Sequence, residues 1–449
     1  MPLPASLLVC ALLLVGLAAC NDASAPRPDA SPPEASDLTE MNHIAESYAK
    51  LVLAVGQHDE GYVDAYYGPD VWQAEADSAK KTLAQIKQEA QPLIAELQEM
   101  DTSGQDELVD LRHQYLLKQL HALVARVEML KGETFSFDEE ASALYDAEPP
   151  TYPARHFEEI LARLDKKLPG EGPLIERYGA FKQDFIIPTE KLDTVFTAAI
   201  DEARRRTLDQ IDLPPNENFV VEYVKDKPWS GYNWYQGNAQ SLIQVNTDLP
   251  IYIDRAVDLA AHEGYPGHHV YNALLEKNLV DERGWMEFSV YPLFSPQSLI
   301  AEGSANYGIK VAFPAEERLA FEREVLFPLA GLDSSRVEEY YAVEELVSEL
   351  SYAGNEAARR YLNGEIDAEE AAEWLATYAM MPMERARQRV RFIDTYRSYV
   401  INYNLGQDLV QRYVETRGGT ADQPEQRWDI FSSLLSSPRL PSGLETNTP

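Results

Sequence analysis

Apolar residues recur every three or four positions through most of this chain, the spacing that turns one face of an α-helix towards a core. The pattern runs through residues 41–55, 70–100, 106–131, 155–167 and 189–211, and returns between 315 and 435. Pro149-Pro150, Pro169-Gly170 and Pro214-Pro215 punctuate it, as residues that break backbone hydrogen bonding should. Between Asn218 and Pro250 the period changes. Residues 219–224 are β-branched and aromatic, and 232–235 and 241–245 flank Gly237-Asn238, which predicts a strand pair. Helices return at 254–263 and 299–311. The expectation is a mainly α, multi-helix fold with a small β element. It would have an N-terminal helical lobe (37–215), a second lobe (216–436) and a tail without structure (437–449).

Composition narrows the function. The chain has 449 residues, a formal charge of −35 and a pI near 4.5. That acidity argues against nucleic acid and anionic membrane surfaces as partners. Residues 5–20 are almost wholly apolar, too short for a comfortable span, and end in Leu17-Ala18-Ala19-Cys20. The tetrapeptide resembles the lipobox of bacterial lipoproteins, although no Lys or Arg precedes the apolar run. By that resemblance residues 1–19 are a signal peptide and Cys20 carries lipid, the only membrane attachment; residues 20–36, rich in Ala, Pro, Ser and Asp, read as a flexible tether. Asn21 after the cysteine favours the periplasmic face of the outer membrane, and a plain cleaved signal is the alternative. With Cys10 inside the apolar run, the mature chain has no second cysteine, so metal binding would fall to histidine and carboxylate.

Three of the eight histidines fall in the stretch His262-Glu263-Gly264-Tyr265-Pro266-Gly267-His268-His269. Neutral imidazoles bind zinc, and a carboxylate beside them can take a proton from water at the metal. The usual spacing is H-E-x-x-H on one helix, with the histidines on one face. Here the residue four after His262 is Pro266, so a continuous helix cannot make the site. If two residues bulge out, His268 takes the second position; His269 would need three. His268 is therefore preferred as ligand, with His269 at the substrate or behind the ligands. The plain alternative is a helix ending at Gly264 with surface histidines beyond it.

The same residues resemble the H-E-x-Y-P-G-H-H signature of the bacterial family called domain of unknown function 885, a set of zincin-like, mostly helical proteins. Glu302-Gly303-Ser304-Ala305-Asn306-Tyr307 is similar to that family's E-G-W-A-x-Y, with serine in place of tryptophan, and Tyr403-Asn404-Leu405-Gly406 resembles its Y-K-I-G. The P-G-Q of the family stands here as Arg397-Ser398-Tyr399. The resemblance implies a gluzincin-like fold with the small β element beside the metal helix. It implies one Zn2+ held by His262, His268 and Glu302. Glu263 would be the general base and Tyr403 the oxyanion donor. Tyr396 and Tyr399, at helical spacing from Tyr403, would line the substrate. It further implies a deep channel suited to short peptides, with the sheet edge receiving an extended chain. The function expected is a zinc metallopeptidase; a zinc hydrolase of non-peptide amides or esters and a non-catalytic metal-retaining lipoprotein are the alternatives. The acid- and tyrosine-rich stretch from Gln57 to Pro69 reads as a surface loop rather than as part of a channel or cation site. Met380-Met381-Pro382-Met383 reads as a core-lining helix break.

Overall fold

A computed structural model describes residues 35–445, residue 228 excepted; the expected signal peptide and Cys20 lie outside these residues, as does nearly all of the tether. The chain is mainly helical, 67% helix and 7% strand. No helix among the described residues is long and apolar enough to cross a membrane. Most boundaries follow the apolar period, as in Ala154–Lys167 and Glu107–Leu130. The stretch expected as one helix from residue 70 to 100 is two, Asp70–Ala79 and Leu83–Glu99. Lys80 adopts the left-handed conformation between them (φ 45°), and Thr82 restarts the chain with a capping box.

Among the described residues, five strands form two small sheets. β1 (Val63–Tyr66) pairs antiparallel with β5 (Val290–Pro292). β2 (Asn218–Val224), β3 (Gly231–Gly237) and β4 (Gln240–Asn246) form the other in the order β2-β4-β3. β3 and β4 are the expected hairpin, and β2 joins β4 in parallel. β3 is thus an edge strand, and its first residues border the cluster of histidines.

The larger of two hydrophobic clusters among the described residues runs through both halves of the chain, from Met41 to Leu444. The halves are also joined by a buried ion pair. Arg112, 1% exposed, donates from Nη2 to Glu287 Oε2 at 3.0 Å, and its guanidinium lies 4.7 Å from the Trp285 ring. The tail expected to lack structure from residue 437 is corrected as far as residue 445. Leu440 and Leu444 are buried at helical spacing, the helix Pro441–Glu445 carries the second, and Ser442 bonds Asp146. Two leucines one turn apart give this short segment an apolar face that its polar composition obscures.

Two glycines set the closest helix crossing near the site. The helix Pro296–Ala312 packs on Ile401–Thr416 with Gly303 facing Gly406. A Cβ on Gly406 would lie 2.9 Å from Gly303 Cα and 2.7 Å from the Leu299 carbonyl oxygen. Any side chain at this point would hold the helices apart.

Candidate metal centre

The helix Asp254–Leu259 does not stop at the first histidine but widens. Over Ala260–Gly264 the turn is π-helical. The Tyr265 amide donates to Ala260, five residues back (3.0 Å), and the Gly267 amide to Ala261, six back (2.9 Å). Pro266 has no amide with which to continue a regular turn. Gly267 is required because a side chain there would overlap the His262 carbonyl. The helix restarts at His268 and runs to Leu275. This extrusion returns the first of the adjacent histidines to the face of His262: the two Nε2 atoms stand 3.1 Å apart, with the rings nearly perpendicular.

Glu302 reaches the same point from the helix Pro296–Ala312. Its Oε2 lies 3.2 Å from His262 Nε2 and 3.7 Å from His268 Nε2. That oxygen is buried and is left without a hydrogen-bond partner. Asn306 donates from Nδ2 to the Tyr403 carbonyl (2.9 Å), so its Oδ1 must be the acceptor for His262 Nδ1 (3.0 Å). The His262 proton therefore sits on Nδ1, and Nε2 presents a lone pair to the cluster. Donors about 2.0–2.1 Å from a tetrahedral zinc are roughly 3.3 Å from one another. Two imidazole nitrogens and an orphaned carboxylate oxygen at 3.1–3.7 Å suit such an ion.

Glu263 also brings an oxygen into the group, within 4.8 Å of donors on both histidines. Glu302 Oε2, at ion-pair distance from both rings and without a hydrogen-bond partner, is a second carboxylate placed to complete the group. Glu263 is held from the other side by β3: its Oε1 rests against Gly231, and its carbonyl accepts from Asn233 Nδ2 at 2.6 Å. Burial alone would raise the Glu302 carboxyl, but His262 and His268 hold it well below the usual carboxylate range. Burial works against charge on His268, yet Glu302, Glu263 and Asp64 lift it to about 9 without a metal.

The expected tyrosines divide by role. They do not share one continuous helix: the helix Met383–Tyr396 ends at Arg397, which has a positive φ of 52°, and a 3-10 turn leads into Ile401–Thr416. Their rings still lie side by side, 6.0 Å from Tyr396 to Tyr399 and 5.8 Å from Tyr399 to Tyr403. Tyr399, expected at the substrate, is buried and donates its hydroxyl to Glu302 Oε1 at 2.8 Å. Tyr396 and Tyr403 are partly exposed. Burial, and then the Glu302 charge, hold the Tyr403 hydroxyl protonated, so it can act as a donor.

His269 is corrected as a substrate contact, because it is fully buried. Its Nδ1 meets Ser241 Oγ on β4 (2.9 Å), and its Nε2 meets Glu217 Oε2 (3.2 Å). Glu217 also accepts from Tyr265 and Arg204. The order Ser-His-Glu is that of a nucleophilic triad, but no substrate can reach it; it ties the bulge to the sheet. The supposed surface loop is also corrected. β1 carries Asp64 to the cluster, where it accepts a bond from Tyr232 on β3 and interacts electrostatically with His268, Glu302 and Glu263. Burial raises Asp64 to about 6, against the Tyr232 bond. The density of acids and tyrosines was its only signal in the sequence.

No family model matches the chain, and no curated protein matches it. Solved structures align with it at low identity. A protein of Colwellia psychrerythraea named as a lipoprotein is 15% identical over 92% of this chain and 75% of its own, with a TM-score of 0.49. A Shewanella oneidensis protein named as a lipoprotein of unknown function is 13% identical over 81% and 75%, at 0.40. The M32 carboxypeptidase of Deinococcus radiodurans is 12% identical over 89% and 90%, at 0.37.

Proposed function

We propose that the protein is a zinc-dependent hydrolase of the kind its H-E-G-Y-P-G-H-H stretch resembles, acting on short peptides. The observation that carries this reading is the convergence of His262 Nε2, His268 Nε2 and the orphaned Glu302 Oε2, with Glu263 against them. When bound there, zinc would supply Lewis acidity, polarising a carbonyl and bringing the pKa of water towards about 7. Glu263 takes the proton of the attacking water and returns it to the leaving amine. Tyr403, held protonated, donates to the developing oxyanion. Asn306 and Tyr399 fix the orientation of His262 and Glu302. Edge strand β3, beside Glu263, offers main-chain groups to an extended substrate. A lipid on Cys20 would keep the enzyme at the periplasmic face of the outer membrane, facing small exported or imported peptides.

The test is Glu263→Gln. This variant should keep its zinc, measured by elemental analysis, and lose hydrolysis of a short-peptide panel by several orders of magnitude. Near-wild-type turnover in the variant would remove Glu263 as base. Hydrolysis of esters or non-peptide amides but not of peptides by the wild type would transfer the site to the other class of zinc hydrolase.

A further inference from the structure

One arginine stands beside the tyrosines of the site in a chain of net charge −35. Arg389 lies on the helix Met383–Tyr396, with its guanidinium carbon 5.8 Å from the Tyr403 ring and 4.5 Å from the Phe392 ring. Its neighbours show how this chain normally treats arginine: Arg387 pairs with Glu369, and Arg397 with Glu140 at 2.6 Å. Arg389 has no such partner among the described residues; its charged neighbour is Arg385, one turn earlier, which itself faces Arg255. A half-buried cation with aromatic walls and no anion is costly unless an anion arrives from outside. Burial and Arg385 depress its pKa, with Tyr403 the one opposing influence.

The position of Tyr403 gives that anion its identity. The Tyr403 ring has the Arg389 guanidinium carbon 5.8 Å away, and its hydroxyl also feels the charges of Glu302 and Glu263. An oxyanion at Tyr403 and an anion at Arg389 would be separated by one or two residues of extended peptide, at roughly 3.3–3.6 Å each. We propose that Arg389 is a specificity-determining residue that binds the free C-terminal carboxylate of the substrate, so that the enzyme removes one or two residues from that end. The planar fork of a guanidinium matches a carboxylate in two hydrogen bonds, which a lone ammonium cannot reproduce. This inference rests on the peptidase reading above and supplies its substrate class.

The experiment compares one short peptide with a free and with an amidated C-terminus, using zinc-loaded full-length protein. Wild type should cleave the free peptide near its C-terminus and the amide at least tenfold more slowly. Arg389→Gln should raise KM for the free peptide roughly 10- to 100-fold and leave the amide unchanged. Arg389→Lys should recover only part, and Arg391→Gln, an exposed change of equal charge on the same helix, should match wild type. Equal cleavage of both peptides by wild type, or an equal loss on both in Arg389→Gln, overturns the anchor and leaves the peptidase intact. A second arm measures binding of the two peptides to zinc-loaded Glu263→Gln by calorimetry. If wild type cleaves neither peptide, the peptidase reading fails, and this arm alone decides the anchor. Tighter binding of the free peptide, lost on adding Arg389→Gln, supports it; equal binding rejects it.

Discussion

Replacing Gly406 with alanine tests whether the glycine crossing positions the metal ligands. The added Cβ would lie 2.9 Å from Gly303 Cα and 2.7 Å from the Leu299 oxygen. Carbon atoms settle at about 3.5–4.0 Å, so the two helices must part by at least about 0.6 Å. Two hydrogen bonds cross this interface towards the ligands: Tyr399 to Glu302 at 2.8 Å, and Asn306 to the Tyr403 carbonyl at 2.9 Å. The same displacement takes them to roughly 3.4–3.5 Å, the limit of a hydrogen bond. Overpacking of this kind costs about 1–3 kcal/mol, offset in part by the roughly 1 kcal/mol that alanine gains over glycine inside a helix. Loosened partners behind metal ligands weaken affinity by about 10- to 100-fold. Zinc competition against a chromophoric chelator, beside thermal unfolding, should therefore show weaker binding by about tenfold or more in a folded protein. Gly303→Ala, whose Cβ would meet the Gly406 backbone directly, should be worse. A Gly406→Ala protein that binds zinc as wild type does and is about 1 kcal/mol more stable would show that only helix propensity changed.

Other perturbations address the frame around the site. Glu287→Ala leaves Arg112 buried without its counter-charge and should cost about 3–5 kcal/mol, read from the urea midpoint; a loss below about 1 kcal/mol would mean that water reaches the pair. Burial lifts the Glu322 carboxyl to about 7, against Arg318 and Tyr341. Since the folded pKa exceeds the unfolded value of about 4.3, the folded state holds more protons between the two, and this group's contribution to stability falls as pH rises through that window. The stability of Glu322→Gln relative to wild type should thus improve by on the order of 2 kcal/mol from pH 5 to 8, and a difference independent of pH would refute it.

The apolar period displayed most helices, and the proline and glycines between the histidines displayed the bulge, because both are local properties of the chain. Longer-range relations were hidden. Glu302 is one of 74 acids, and resemblance rather than spacing singled it out. Asp64 looked like loop because its position depends on β1 pairing with β5, more than two hundred residues away. The adjacent histidines part because one faces His262 while the other is taken by Ser241 and Glu217, an outcome set by how the sheet packs. The tyrosine stripe looked continuous because a left-handed residue at Arg397 leaves no mark on apolar spacing. The meeting of Gly303 and Gly406 joins two motifs about a hundred residues apart, and the role proposed for Arg389 depends on the absence of a carboxylate that sequence cannot locate.

The central claim is the ligand set, and anomalous scattering at the zinc edge tests it most directly. Crystals of zinc-loaded protein should show one peak bounded by His262 Nε2, His268 Nε2 and Glu302 Oε2, with Glu263 outside bonding distance. A peak ligated by Glu263 in place of Glu302, or zinc found only away from these histidines, would contradict the account.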